Sequence, residues 1–147
     1  IAGQGPYLKK IIEYTKHNQI ENNVKFLGWI TEPEKSLILQ NSDLFVMTPL
    51  SVGESIEGFG MAYIDASFHG LASIGTDSGG VKDAILHNET GLLCEEGNQK
   101  MITNSILKLL KDHKLREKMG ESGRRRAEQS YSWKNKINEY LKVANLI

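Results

Sequence analysis

The sequence is poor in the features that most directly announce a chemistry. A single cysteine, Cys94, stands among 147 residues. It leaves no internal disulfide to form and fits a reducing compartment. Basic and acidic side chains balance at 18 each, so no net field draws the chain to nucleic acid or to an anionic membrane. No apolar run approaches the roughly 20 residues of a membrane span, and no secretory signal peptide is visible. The four histidines (His17, His69, His87 and His113) lack the spacing of zinc ligands. No Ser-His-Asp or Cys-His set can be assembled. There is no P-loop, and no Asp-x-Asp pair to hold a metal diphosphate. No metal and no bound cofactor are expected. The opening "IAGQGP" tempts toward a dinucleotide fingerprint, but after Gly3 and Gly5 the third glycine should fall at position 8, where Leu8 stands.

What is present is an alternation. A chain of this length forms one ordinary domain, expected over residues 1–147, and buries about two thirds of its unfolded surface. Short apolar runs, "IAG" (1–3), "VKFLG" (24–28), "DLFVM" (43–47), "LASIG" (71–75) and "GLLC" (91–94), read as strands. The near-continuous apolarity of "DLFVM" predicts that both its faces are covered. Between the runs lie amphipathic stretches. Helices are predicted from Pro6 to about His17, Thr31 to Gln40, Gly60 to His69 and Val81 to Leu86. Three more are predicted over Gln99–Lys111, Lys114–Gln129 and Ser132–Val143. Thr31 followed by Glu34 has capping-box spacing, with the hydroxyl and the carboxylate each expected to take an orphan amide. The fold class expected is α/β: a doubly wound parallel sheet, Rossmann-like. The chain begins at Ile1 in what reads as the end of a buried strand, which is expected of a piece of a longer protein.

In such sheets ligands bind outside the carboxyl ends of the strands. The glycine-rich loops gather there. In "EGFGMAYID" (57–65), Gly58 and Gly60 let backbone approach a ligand closely. The amides of Gly60 and Met61 fall in the first turn of the next helix, where partners are lacking and the helix dipole favours an anion such as phosphate. Asp65, one turn deeper, and Glu57, just before the turn, suit hydroxyl groups on either side of that anion. A nucleotide sugar has this pattern. An ordinary turn with a solvated glutamate fits the segment as well. In "TDSGGVKD" (76–83), Gly79 and Gly80 either let a ligand lie close or make a tight turn capped by Asp77 or Ser78. The basic run Arg124–Arg126, flanked by Glu121 and Glu128, reads as a solvated helix face.

Together these segments resemble the signature region of the retaining, nucleotide-sugar-dependent glycosyltransferases of GT-B architecture, the glycosyl transferases group 1 family. The motif is an acid, Phe-Gly, and a second acid eight positions on. Here it is Glu57-Gly-Phe-Gly-Met-Ala-Tyr-Ile-Asp65, then Ala66 to Gly70. "IAGQGP", "VKFLGWI", "SDLFVMTP", "GGVKDAI", "ETGLL" and "YSW" follow the family order across almost the whole chain. The resemblance implies the carboxyl-terminal, donor-binding half of such an enzyme. Glu57 is then the candidate catalytic residue, holding donor-sugar hydroxyls as a positioner rather than a nucleophile or base. The amides of Phe59, Gly60 and Met61 meet sugar and distal phosphate, and Asp65 holds the ribose. Backbone at Trp29 and Ile30 lines the base, Gly3 lies near the nucleotide, and Gly79 and Gly80 complete the edge.

Three departures qualify the match. Asp65 replaces the usual Glu, which is expected to cost about 1 kcal/mol of donor binding or to need a bridging water. Asp83 is likewise shortened. The family's diphosphate-binding Arg and Lys fall upstream of "IAGQGP". The expected partners are a nucleotide sugar, a missing amino-terminal Rossmann-like domain and a glycan or lipid acceptor, with no nucleic acid. The expected location is the cytoplasm, with any attachment to the inner membrane made through the missing domain. The competing expectation is a stand-alone or degenerate nucleotide-phosphate-binding module without transferase activity.

Overall fold

The computed structural model describes residues 1–53 and 56–144; Glu54 and Ser55, in the loop expected over Thr48–Phe59, lie outside the described residues. The chain divides into two compact units, residues 1–38 and 39–147. In the first, α1 (Leu8–His17) turns its basic Lys16 and His17 to the helix end that favours cations. The expected strands "IAG" and "VKFLG" are reduced to one parallel bridge between Ala2 and Gly28. It is held by Gly3 N–H donating to Gly28 O at 2.7 Å and Leu27 N–H to Ile1 O at 2.8 Å. A 3₁₀ turn at Glu21–Asn23 occupies the residues just before; the chain is extended at Val24, and Lys25 O accepts the Ile1 amino group at 2.6 Å. α2 (Glu32–Gln40) begins after Thr31. Both the amide and the hydroxyl of Thr31 donate to Glu34 Oε2, at 2.7 Å each. The carboxylate therefore takes the orphan amide as expected, and it also takes the hydroxyl proton.

The second unit is built on three parallel strands in sequential order: β1 (Phe45–Val46), β2 (Ser73–Thr76) and β3 (Gly91–Cys94). Phe45 pairs with Ser73, and Ser73 with Gly91. The helices are α3 (Met61–Phe68), α4 (Val81–Ala84), α5 (Gln99–Lys111), α6 (His113–Ser130) and α7 (Trp133–Val143). Strand side chains alternate between faces, and each face of β2 meets its own core. Ile74, with Leu92 and Cys94, packs on Leu109 of α5 and Met119 of α6. On the other face, Tyr63, Ile64, Val81, Ala84, Ile85 and Ala127 close over the sheet, with Phe45, Met47 and Leu93 packed against them. Central β2 is buried along its whole length.

Two expectations are corrected here. β1 is covered on its second face only in part: Phe45 and Met47 pack on the core around Tyr63 and Leu44 on that around Leu109, but Val46 stays 41% exposed. The basic run on α6 is not uniformly solvated. Arg124 and Arg125 pair with Glu128 and Glu121 on the surface, but Arg126 turns inward. It donates to the carbonyls of Ala84 (2.8 Å) and Asp83 (2.6 Å), which end the four-residue α4.

Candidate functional site

The loops that leave β1 and β2 meet at the carboxyl edge of the sheet, and glycine makes the meeting possible. Gly60 precedes α3 in the left-handed region, at φ +80°, where a side chain is strained. A Cβ there would also lie 2.5 Å from the Tyr63 ring. Gly79 (φ +52°) and Gly80 lie against the backbone of the Glu57 loop: their Cβ atoms would fall 2.2 Å from Glu57 O and 2.0 Å from Gly58 O. The Gly80 amide donates to Glu57 O at 3.0 Å. The double glycine thus has a packing reason of its own. Neither Asp77 nor Ser78 caps α4, whose N-cap is Gly80.

Glu57 is half-buried, and its Oε1 accepts the Gly60 amide at 3.0 Å. The amide expected to be open to an anion is therefore engaged by the carboxylate. Tyr63 N–H donates to Gly60 O at 2.9 Å. The amides of Met61 and Ala62 remain in the first turn, beyond the reach of intrahelical carbonyls. Met61 is 62% exposed. Asp65 is half-buried on α3, about 6 Å along the axis from Met61 at 1.5 Å per residue. Phe59 is half-buried and packs edge-on against Tyr131, with ring centroids 5.5 Å apart. Tyr131 O–H in turn lies 2.7 Å from Arg126.

Tyr63 is the aromatic beneath this turn. It is fully buried, and its hydroxyl donates to Met47 O at the exit of β1. Burial, and secondarily the negative charge of Glu57, push its phenol well above the ordinary tyrosine range, so it keeps the proton that it donates to Met47 O. Gly3 (φ +113°), Trp29 (81% exposed) and Ile30 (half-buried) belong to the first unit. In the second unit a groove of about 430 Å³ runs along α5 between His87 and Lys108 and includes none of the Glu57 loop. Among the described residues no three His, Cys, Asp or Glu side chains converge as a metal site. Nothing local in the sequence marks the roles of Tyr63, Tyr131 and Arg126.

The parallel sheet flanked by helices matches the carboxyl-terminal domains of GT-B glycosyltransferases in fold. Anabaena HepE, solved in complex with UDP and glucose, matches with a TM-score of 0.86 over 99% of this chain and 40% of that chain, at 19% identity. The chain belongs to the family of glycosyl transferases group 1, whose model matches residues 1–126. It is 33% identical over 140 residues to N-acetyl-alpha-D-glucosaminyl L-malate synthase of Bacillus anthracis, covering 95% of this chain. Over 135 residues, 90% of this chain, it is 27% identical to a GDP-mannose-dependent alpha-(1-6)-phosphatidylinositol monomannoside mannosyltransferase of Mycobacterium tuberculosis. The chain spans 35% of the length of each of these two relatives.

Proposed function

We propose that this chain is the donor-binding half of a retaining glycosyltransferase, which moves a hexose from a nucleotide diphosphate sugar to a glycan or lipid acceptor. The observation that carries the proposal is the double anchoring of Glu57. Its carboxylate accepts the Gly60 amide at the start of α3, and its carbonyl accepts the Gly80 amide from the neighbouring loop. An acid is thereby held beside a helix start, where the macrodipole favours the phosphates of a donor. Glu57 accepts hydrogen bonds from the sugar hydroxyls, and the amides of Phe59, Gly60 and Met61 border the sugar and the distal phosphate. Asp65 takes the ribose. Gly3, Trp29 and Ile30 contribute backbone to the nucleotide and its base, and Gly79 and Gly80 bring the second loop close.

The reaction proceeds with retention. The nucleoside diphosphate departs, the acceptor hydroxyl attacks the anomeric carbon from the same face, and a leaving phosphate oxygen takes the hydroxyl proton. The protein's part is electrostatic, stabilising charge that develops on the departing phosphate. The other half of the cleft, with the diphosphate cations and acceptor contacts, belongs to a preceding Rossmann-like domain. The exposed face of α7, with Trp133 (81%), Ile137 (49%) and Tyr140 (72%), suits a partner surface of that kind. No helix among the described residues is long and apolar enough to cross a membrane. The mannosyltransferase relative, named for a phosphatidylinositol monomannoside, supports a glycolipid acceptor; the enzyme is proposed to act from the cytoplasm on envelope glycans or glycolipids. No metal or bound cofactor takes part, the nucleotide sugar being a substrate.

Glu57→Gln in the full-length protein tests this reading. Turnover is expected to fall about tenfold or more while the melting temperature holds. Unchanged transfer would refute the role of Glu57, and nucleotide binding without any transfer by the parent enzyme would leave a binding module instead.

A further inference from the structure

The segment that leaves β1 is pinned at every second residue by side chains from elsewhere in the second unit. The Met47 carbonyl accepts the Tyr63 hydroxyl of α3. The Pro49 carbonyl accepts the Thr76 hydroxyl at the end of β2. At Ser51 the partner is Glu96, in the turn after β3: Ser51 N–H donates to Oε2 at 2.8 Å and Ser51 O–H to Oε1 at 2.7 Å. Ser51 Oγ also lies 2.9 Å from Ser78 Oγ. A carboxylate only accepts. The Ser51 proton therefore goes to Glu96, and Ser78, only 2% exposed, donates to Ser51. Three loops of the carboxyl edge are thus tied by one chain of hydrogen bonds.

The anchors differ in security. Those at Met47 and Pro49 come from residues that are fully buried, Tyr63 and Thr76. The anchor at Ser51 comes from an exposed carboxylate. Ser78, at the other end of this chain of bonds, stands two residues before Gly80, whose amide donates to Glu57 O at 3.0 Å. Water competes for Glu96 directly, so this outer bond limits how firmly the chain of bonds is held. The Ser51 amide, then the Ser51 hydroxyl, hold the Glu96 carboxyl below its ordinary range, which keeps it an acceptor at neutral pH.

We infer that Glu96 is a positioning residue for the Glu57 site: acting through Ser51 and Ser78, it steadies the loop whose Gly80 amide holds Glu57 O, so that Glu57 is already in place when the donor arrives. The inference rests on the donor-site reading given above. A preset arm spares the ordering cost that donor binding would otherwise bear, so loosening it weakens binding more than it slows the bound complex.

The test uses the full-length enzyme with Glu96→Gln, Ser51→Ala and the double variant, beside Glu57→Gln. The glutamine amide places a donor where Glu96 now accepts. Each single variant is expected to raise the donor KM about fivefold, the ordinary worth of one such bond, with kcat within about twofold. The double variant should rise no further, because both changes cut the same link. Mere loss of folded enzyme lowers apparent kcat and leaves KM alone. Hydrogen exchange at the Ser51 amide should quicken in Glu96→Gln. A normal donor KM in Glu96→Gln beside an impaired Glu57→Gln overturns the positioning role alone, as do KM effects that multiply in the double variant. Full transfer by Glu57→Gln overturns the donor-site reading and the positioning role with it.

Discussion

Gly80→Ala isolates the contact between the two glycine loops. Gly80 has φ −84° and ψ 5°, a conformation any residue adopts, so an added methyl brings no backbone strain and its whole effect is steric. That methyl would sit 2.0 Å from Gly58 O, whereas real Cβ atoms essentially never come within 3.0 Å. The loops must separate by about 1 Å, the difference of those two distances. The 3.0 Å bond from Gly80 N–H to Glu57 O then stretches out of hydrogen-bond range. Overpacking of this kind costs about 1–3 kcal/mol, and the lost bond about 0.5–1.5 kcal/mol. The sum, about 2–4 kcal/mol, corresponds to a fall in melting temperature of about 5–15 °C for a chain of this size. Gly58→Ala is the control, because a methyl there meets nothing within 4 Å and should change stability by less than about 0.5 kcal/mol. Thermal unfolding followed by circular dichroism reads both. If Gly80→Ala melts with the parent protein, the loops are not in the contact described and the anchoring of Glu57 loses its second point.

Three further expectations follow from particular residues. Arg126→Ala strips the donors from the Asp83 and Ala84 carbonyls and should cost about 1–3 kcal/mol in urea unfolding; Arg124→Ala, which breaks an exposed pair with Glu128, should cost less than about 0.5 kcal/mol. Ser73 Oγ is buried without a hydrogen-bond partner, so Ser73→Ala should leave stability in thermal unfolding unchanged or raise it, by up to about 1 kcal/mol. Glu34, through the Thr31 amide and hydroxyl, and Glu96, through the Ser51 amide and hydroxyl, have carboxyls held below the value of 4.5 that they take when unperturbed. Their contribution is present above that value and lost as pH falls through the lower folded-state values. Stability should therefore drop on acidification below about pH 4.5, less steeply in Glu96→Gln; an identical slope in that variant would show that the Ser51 link is absent in solution.

The sequence by itself determined most of the architecture of the second unit. Short apolar runs bounded by glycine and longer stretches with helical spacing are local properties, and they placed α3, α5, α6 and α7 within about two residues of where they lie. The run "GLLC" coincides with β3. The residues of the candidate site were legible for the same reason: Glu57, Gly60, Met61 and Asp65 share one loop and one helix, and their spacing is their geometry. Tertiary structure alone decided how that segment is held. Tyr63 to Met47, Thr76 to Pro49, Glu96 to Ser51 and Arg126 to Ala84 join residues 16, 27, 45 and 42 positions apart. No period of two or of 3.6 records such a pairing, because it is set by where the chain returns and not by what stands beside it. Gly79 and Gly80 make the same point: the sequence shows that a side chain is missing, and only the folded chain shows that the backbone of Glu57 and Gly58 fills its place.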